Sequence, residues 1–339
     1  MNCEHYQAVL LGTGIGDALG MPVEGWKPEQ IQRYAGRIEN FLDPVIPRDA
    51  AGNILKRDEF GKLYDYTREF TAGQYTDDTI LTIALAESLL HHGLDLEHAA
   101  AQHILAYHSN IKGGFGRTTV AAFKRLEQGI SPIHSGVTGQ PGNGPAMKMA
   151  PVGLYMHATG DTLRGLQFSE QVSKMTHLDP RSVVSGMVQA AAIFFLGEKY
   201  CRQDFIDALY ETSSTYEQPV PSGYYLAEQG TFTERLRWIL EHNDASTEEA
   251  YHTLGNSGLV YQSHPFAIFM FQHYWNNPME GLLATVNYGG DCDTTGAMYG
   301  ALAGAKHGMF FPSSLVERLQ EHAYLMDLGW RLSTMNRGP

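Results

Sequence analysis

The chain has 339 residues, 43% of them hydrophobic and 18% charged, with a formal net charge of −13. That is enough apolar material for an enzyme-sized core, and the acidic balance argues against a broad nucleic-acid-binding face. Three cysteines, Cys3, Cys201 and Cys292, are odd in number and far apart, which argues against a disulfide framework and fits a reducing, cytoplasmic setting.

The first twenty residues, MNCEHYQAVLLGTGIGDALG, carry an acid and no basic n-region, so they do not read as a signal peptide. They suit a helix in which Gly12, Gly16 and Gly20 recur every fourth residue. Residues 37–42 are a short extended candidate. Residues 43–72 are polar and charged, with prolines and glycines, and read as a loop, either plain surface or the flank of a site. Residues 78–91 place Ile80, Ile83, Ala84 and Leu90 on a helical period. A Gly/Pro-rich stretch covers 135–154. Helical periods return at 180–196, 232–240, 267–274 and 294–307. No fixed-period repeat and no low-complexity linker divides the chain, so the expectation is an all-α fold in one domain, 1–339. The longest apolar runs, such as PFAIFMF, fall short of a membrane span, and no membrane partner is expected.

Glycine inside a helix costs roughly 1 kcal/mol relative to alanine. Gly12, Gly16 and Gly20, with Gly296, Gly300 and Gly304 near the other end, therefore predict two helices whose backbones approach closely. That packing brings residues near 17–24 to residues near 291–294. GTGIGDALG does not meet the dinucleotide pattern and lacks a preceding strand.

Two acidic clusters stand at helix starts: Thr76, Asp77 and Asp78 in QYTDDTILT, and Asp291, Asp293 and Thr294 in GGDCDTTG. One acid is a good helix cap, but a cap needs one acceptor and these entries bring four carboxylates. Gathering four carboxylates without counter-charge is costly, and two hard divalent cations would resolve it. An all-oxygen donor set selects magnesium, manganese or calcium over zinc or copper, with Thr76 and Thr294 adding neutral oxygens. Cys292 reads as a small filler turned away. Glu24 in GMPVEG falls near the aspartates once the glycine faces meet, and is the candidate to take a proton from an attacking water.

GDALGMPVEG, QYTDDTILT, GGFGRTT, GNGPAMKMAP, THLDP and GGDCDTTGAMYGALAGAKHG occur in an order that resembles the ADP-ribosylglycohydrolases, over nearly the whole chain. That family includes the dinitrogenase-reductase-activating glycohydrolases and the animal ADP-ribosyl-arginine and ADP-ribosyl-serine hydrolases. The resemblance implies an orthogonal multi-helix bundle with a binuclear magnesium or manganese centre held by Thr76, Asp77, Asp78, Asp291, Asp293 and Thr294. Glu24, Asp77, Asp78 and Asp293 would carry the chemistry: hydrolysis at the anomeric carbon of an ADP-ribosyl group, releasing ADP-ribose from a modified protein without a covalent enzyme intermediate. Arginine is the favoured acceptor; serine and O-acetyl linkages stay open, as do the metal preference and the oligomeric state. Gly113, Gly114, Phe115 and Gly116 form one implied substrate loop, Gly142, Asn143 and Gly144 a second, and His177 matches a histidine near the ligand. Lys148 stands where relatives usually carry arginine and is placed on a helix surface.

Gln140 and Pro141 depart from the small hydroxyl and aromatic residues that some relatives carry, so adenine stacking passes to Phe115, Tyr261 or Phe266. Two other readings compete. A D-x-D-T phosphatase would need a buried strand before the motif near the start of an α/β domain, and Asp291 instead precedes a glycine-spaced helix. A non-catalytic family member would tend to lose metal ligands, and all seven candidate positions here carry oxygen donors.

Overall fold

The computed structural model describes residues 1–46, 48–49, 51–55 and 70–335. Among these it contains eighteen α-helices, two short 3-10 turns and no strand, only isolated bridges. Most of the interior of the 43–72 loop lies outside the described residues; segment 37–42 is irregular rather than extended in a sheet.

Two helices run through the centre. Cys3–Gly20 is capped by the Asn2 side chain, which accepts from the His5 N–H, and is buried almost continuously from Tyr6 to Gly20. Cys292–His307 is buried from Cys292 to Ala305. The glycine stripes meet as expected. A Cβ on Gly16 would lie 1.9 Å from the Gly296 carbonyl oxygen, one on Gly12 2.1 Å from the Gly300 oxygen, and one on Gly304 2.3 Å from the Ala8 oxygen. At Gly20 the facing atoms are the backbone of Cys292 and Asp293. Any side chain at these positions would separate the helices, so the backbones touch only because the glycines are there. The ends of this contact bring residue 20 against residue 293.

The remaining helices wrap this pair. Asp77–His92, Pro180–Gly197 and Val260–His273 surround it, and one large hydrophobic cluster runs from Tyr6 to Leu332. The 180–196, 232–240 and 294–307 periods emerge as Pro180–Gly197, Phe232–Glu241 and Cys292–His307. The 267–274 helix begins seven residues earlier, at Val260, with Pro265 inside it. Proline has no N–H to donate and disfavours a helix interior; here the tertiary surroundings of a fully buried segment override that local signal.

The reading of apolar runs needs a correction. Pro180–Gly197 has the length and hydropathy to cross a membrane, yet 78% of it is buried inside the protein. Its apolar character serves a core helix packed on several sides. Gly186 lies against Ser173, Met149 and Pro145, and Ala190 faces Gly153 of the Ala150–Thr159 helix.

Candidate metal centre and ligand cleft

The helix Asp77–His92 starts at Thr76, but the Thr76 hydroxyl does not cap it. Instead that hydroxyl donates to Asp78 Oδ2 at 3.1 Å. The cap arrives from the central helix. The carboxylate of Asp17 accepts from the Thr76 N–H at 3.0 Å, the Thr79 N–H at 3.1 Å and the Thr79 hydroxyl at 2.7 Å. Asp77 and Asp78 are thereby released from capping. Neither acid is needed to start the helix, which answers why two stand side by side.

The two acidic clusters meet. The Thr294 hydroxyl donates to Asp78 Oδ2 at 3.4 Å across 216 residues of sequence. Carboxylate oxygens of Asp17, Asp78 and Asp293 lie within 4.8 Å of one another, and so do those of Glu24, Asp291 and Asp293. Asp293 belongs to both groups. Thr76, Asp77, Asp78, Asp293 and Thr294 are buried, while Glu24 and Asp291 are half-buried. Cys292 directs its thiol to the Gly20 carbonyl at 3.3 Å, away from the acids.

Charge in this space is under strain. Burial pushes Asp78 well above the ordinary carboxylate range, and the charges of Asp17, Asp77 and Asp291 push further. Asp293 is raised well above it too, by burial and then by Glu24, Asp291, Asp78 and Asp17. Asp77 is raised by burial, then by Asp17 and Glu24. Asp78 Oδ1 is buried with no hydrogen-bond partner among the described residues. A buried carboxylate oxygen without a donor is costly unless a proton or cation fills the gap. An all-oxygen donor set with that orphaned oxygen fits hard divalent cations. Asp17 lies within reach, but its oxygens are taken by three donors, so it anchors the helix that carries Asp77 and Asp78.

Both glycine loops border this centre. A Cβ on Gly114 would lie 3.5 Å from Asp77 Oδ1, and the Gly116 N–H donates to the Asp77 carboxylate. Gly113 is buried against Ile80. Phe115 is half-buried, edge-on to Tyr107 and Phe123. In the second loop Asn143 spends one amide on two acceptors, Asp291 Oδ2 and the Ser263 hydroxyl. Gly142 and Gly144 lie against the ring of His177. This loop is held on both sides, through Val137 beside His177 and Gly142 beside Leu259.

Three expectations are corrected. Lys148 is fully buried, because it sits at the end of the Gly144–Met147 helix beneath the second loop. Tyr261 is fully buried between the guanidinium groups of Arg181 and Arg235, 5.0 and 5.8 Å from its ring centre. Phe266 is fully buried against Tyr251 and Tyr288. Neither ring is available to stack on adenine. Asp17 joins this acid group although the sequence marks it only by its place beside Gly16, at the edge of the glycine stripe.

The family model for ADP-ribosylglycohydrolases matches residues 2–338. The chain belongs to the ADP-ribosylglycohydrolase family. Mouse ADP-ribosylhydrolase ARH3 is 24% identical over 334 residues, spanning 90% of this chain and 84% of its own. A protein of Archaeoglobus fulgidus is 27% identical over 330 residues, spanning 97% of this chain and 96% of its own. A solved structure described as an ADP-ribosylglycohydrolase-related protein complex superposes with a TM-score of 0.71 at 23% identity, covering 98% of both chains. The fold of the chain is thus the orthogonal all-α bundle of its family.

Proposed function

We propose that this glycohydrolase is a metal-dependent ADP-ribosyl hydrolase, acting as one domain, that releases ADP-ribose from modified protein side chains, arginine first among the acceptors to assay. The observation that carries the reading is the meeting of Asp78 with Asp293 and Thr294 in a buried space that holds more carboxylate than it can neutralise. Thr76, Asp77, Asp78, Asp291, Asp293 and Thr294 would hold two divalent cations, magnesium or manganese, and the membership of Asp293 in both acid groups supports a shared pair. When bound, such cations neutralise the carboxylates and polarise ribose hydroxyls and water.

The chain's own groups do the rest. Glu24, beside Asp291 and Asp293, takes the proton of the attacking water. The water oxygen bonds to the anomeric carbon, the bond to the acceptor atom breaks, and the acceptor leaves with the proton that Glu24 took, which returns Glu24 to its carboxylate form. Gly113, Gly114 and Gly116 with Gly142 and Gly144 carry no side chains and let the pyrophosphate approach the backbone of both loops. The cytoplasm is the setting proposed.

The test is hydrolysis of arginine-, serine- and O-acetyl-linked ADP-ribose by wild type, Asp77→Ala, Asp293→Ala and Glu24→Gln, with magnesium and with chelator. Wild type should release ADP-ribose only with the metal, the two alanine variants should be inactive though folded, and Glu24→Gln should lose kcat more than ADP-ribose affinity. Turnover by either alanine variant in metal-free buffer would refute the proposal.

A further inference from the structure

Lys148 is a lysine without exposure and, among the described residues, without a carboxylate bonded to it. Its side chain's one hydrogen bond among the described residues is to Thr176 Oγ1, at 3.3 Å. Burial pulls its pKa down to about 7, with Asp77 pulling the other way. The same Thr176 hydroxyl lies 3.0 Å from His177 Nδ1.

With Lys148 charged, one proton count along this row leaves no hydroxyl proton without an acceptor. An ammonium only donates, so Thr176 accepts from Lys148. Thr176 then has one proton to give, and the one further partner of its hydroxyl among the described residues is His177 Nδ1, which accepts that proton if the hydroxyl is to be satisfied. Burial also pulls His177 down to about 3, so its ring is neutral and carries a single proton. With Nδ1 accepting, that proton sits on Nε2.

The far side of the ring faces the second glycine loop. A Cβ on Gly142 would lie 2.7 Å from Nε2, and one on Gly144 2.8 Å from Cε1. No hydrogen bond is made to Nε2 among the described residues. The glycines set no side chain over this N–H, which stays without a partner among the described residues beside the loop proposed above to receive ADP-ribose.

We propose that Lys148 is a positioning residue: through the Thr176 hydroxyl it fixes His177 as the Nε2–H tautomer, aiming a ring N–H at an anionic or hydroxyl oxygen of the ligand beside Gly142 and Gly144. The ligand half of this inference rests on the proposed function; the tautomer half does not. Both an ammonium and a neutral amine can donate to Thr176, but only the ammonium is obliged to, so the measurement belongs at slightly acid pH.

The experiment is long-range proton–nitrogen NMR on protein with labelled histidine, for wild type, Lys148→Met, Thr176→Val and Thr176→Ser, alongside calorimetric titration of ADP-ribose in the presence of magnesium. Wild type and Thr176→Ser should show His177 protonated on Nε2. Lys148→Met and Thr176→Val should lose that bias and bind ADP-ribose about tenfold more weakly, the loss of one hydrogen bond to a charged group. Methionine matches the length of lysine and removes a buried charge, so Lys148→Met should fold. His177 protonated on Nδ1 in wild type, or unchanged in Lys148→Met, overturns the inference whatever the binding shows. If wild type binds no ADP-ribose while the tautomer responds to both variants, the relay stands and the functional reading falls.

Discussion

Replacing Gly16 with alanine sets two effects of opposite sign against each other. Helix propensity alone predicts a gain of roughly 1 kcal/mol for alanine in a helix interior. The packing predicts the reverse. The new Cβ would lie 1.9 Å from the Gly296 carbonyl oxygen, 2.2 Å from its carbon and 2.7 Å from the Ala297 nitrogen, where ordinary contact begins at 3.4 Å. All three are backbone atoms inside a buried helix, so no side chain can swing aside. Overpacking a core typically costs about 1–3 kcal/mol, and this contact belongs at the top of that range or above. A net loss of about 3 kcal/mol lowers Tm by about 4 °C in a chain of this length. The separation would also move Asp17 away from Asp293, so the rise in Tm on adding magnesium should shrink. The assay is calorimetric melting with magnesium and with chelator, and Gly223→Ala is the control, since nothing lies within 4 Å of a Cβ there. An unchanged or raised Tm in Gly16→Ala would refute the claim that the central helices touch backbone to backbone.

Asp17→Asn should destabilise the protein by about 2 kcal/mol, because an amide offers fewer acceptor sites to Thr76 and Thr79 than a carboxylate, and should weaken magnesium binding measured by calorimetry; unaltered magnesium affinity would mean that the cap does not hold Asp77 and Asp78 in place. His264 is buried, bonded to Gln189 at 2.9 Å, and held down to about 3 by desolvation. A folded-state pKa below the unfolded value gives stability that is full above about 6.5 and is lost as pH falls toward 3. His264→Gln should therefore flatten the acid limb of the stability curve by about 2 kcal/mol at about pH 5, and denaturant melts across that range that superpose on wild type would count against it.

What was legible in the sequence had local or periodic causes. The boundaries of Pro180–Gly197 and Phe232–Glu241 follow from apolar spacing, and six glycines at intervals of four mark a close helix pair. The excess of acid was also legible, because two Thr/Asp clusters at helix starts carry more carboxylate than capping uses. Lys148, Tyr261 and Phe266 were misplaced because burial of a single residue depends on which surfaces close over it, and neither residue type nor neighbours encode that. Nor does local sequence reveal that Asp17 caps a helix beginning 59 residues later, or that Asn143 reaches Asp291 across 148 residues. The sequence supplied the donors and the periods; the tertiary structure decided which donor meets which acceptor, because a hydrogen bond acts over about 3 Å and only the packed backbone brings distant residues that close.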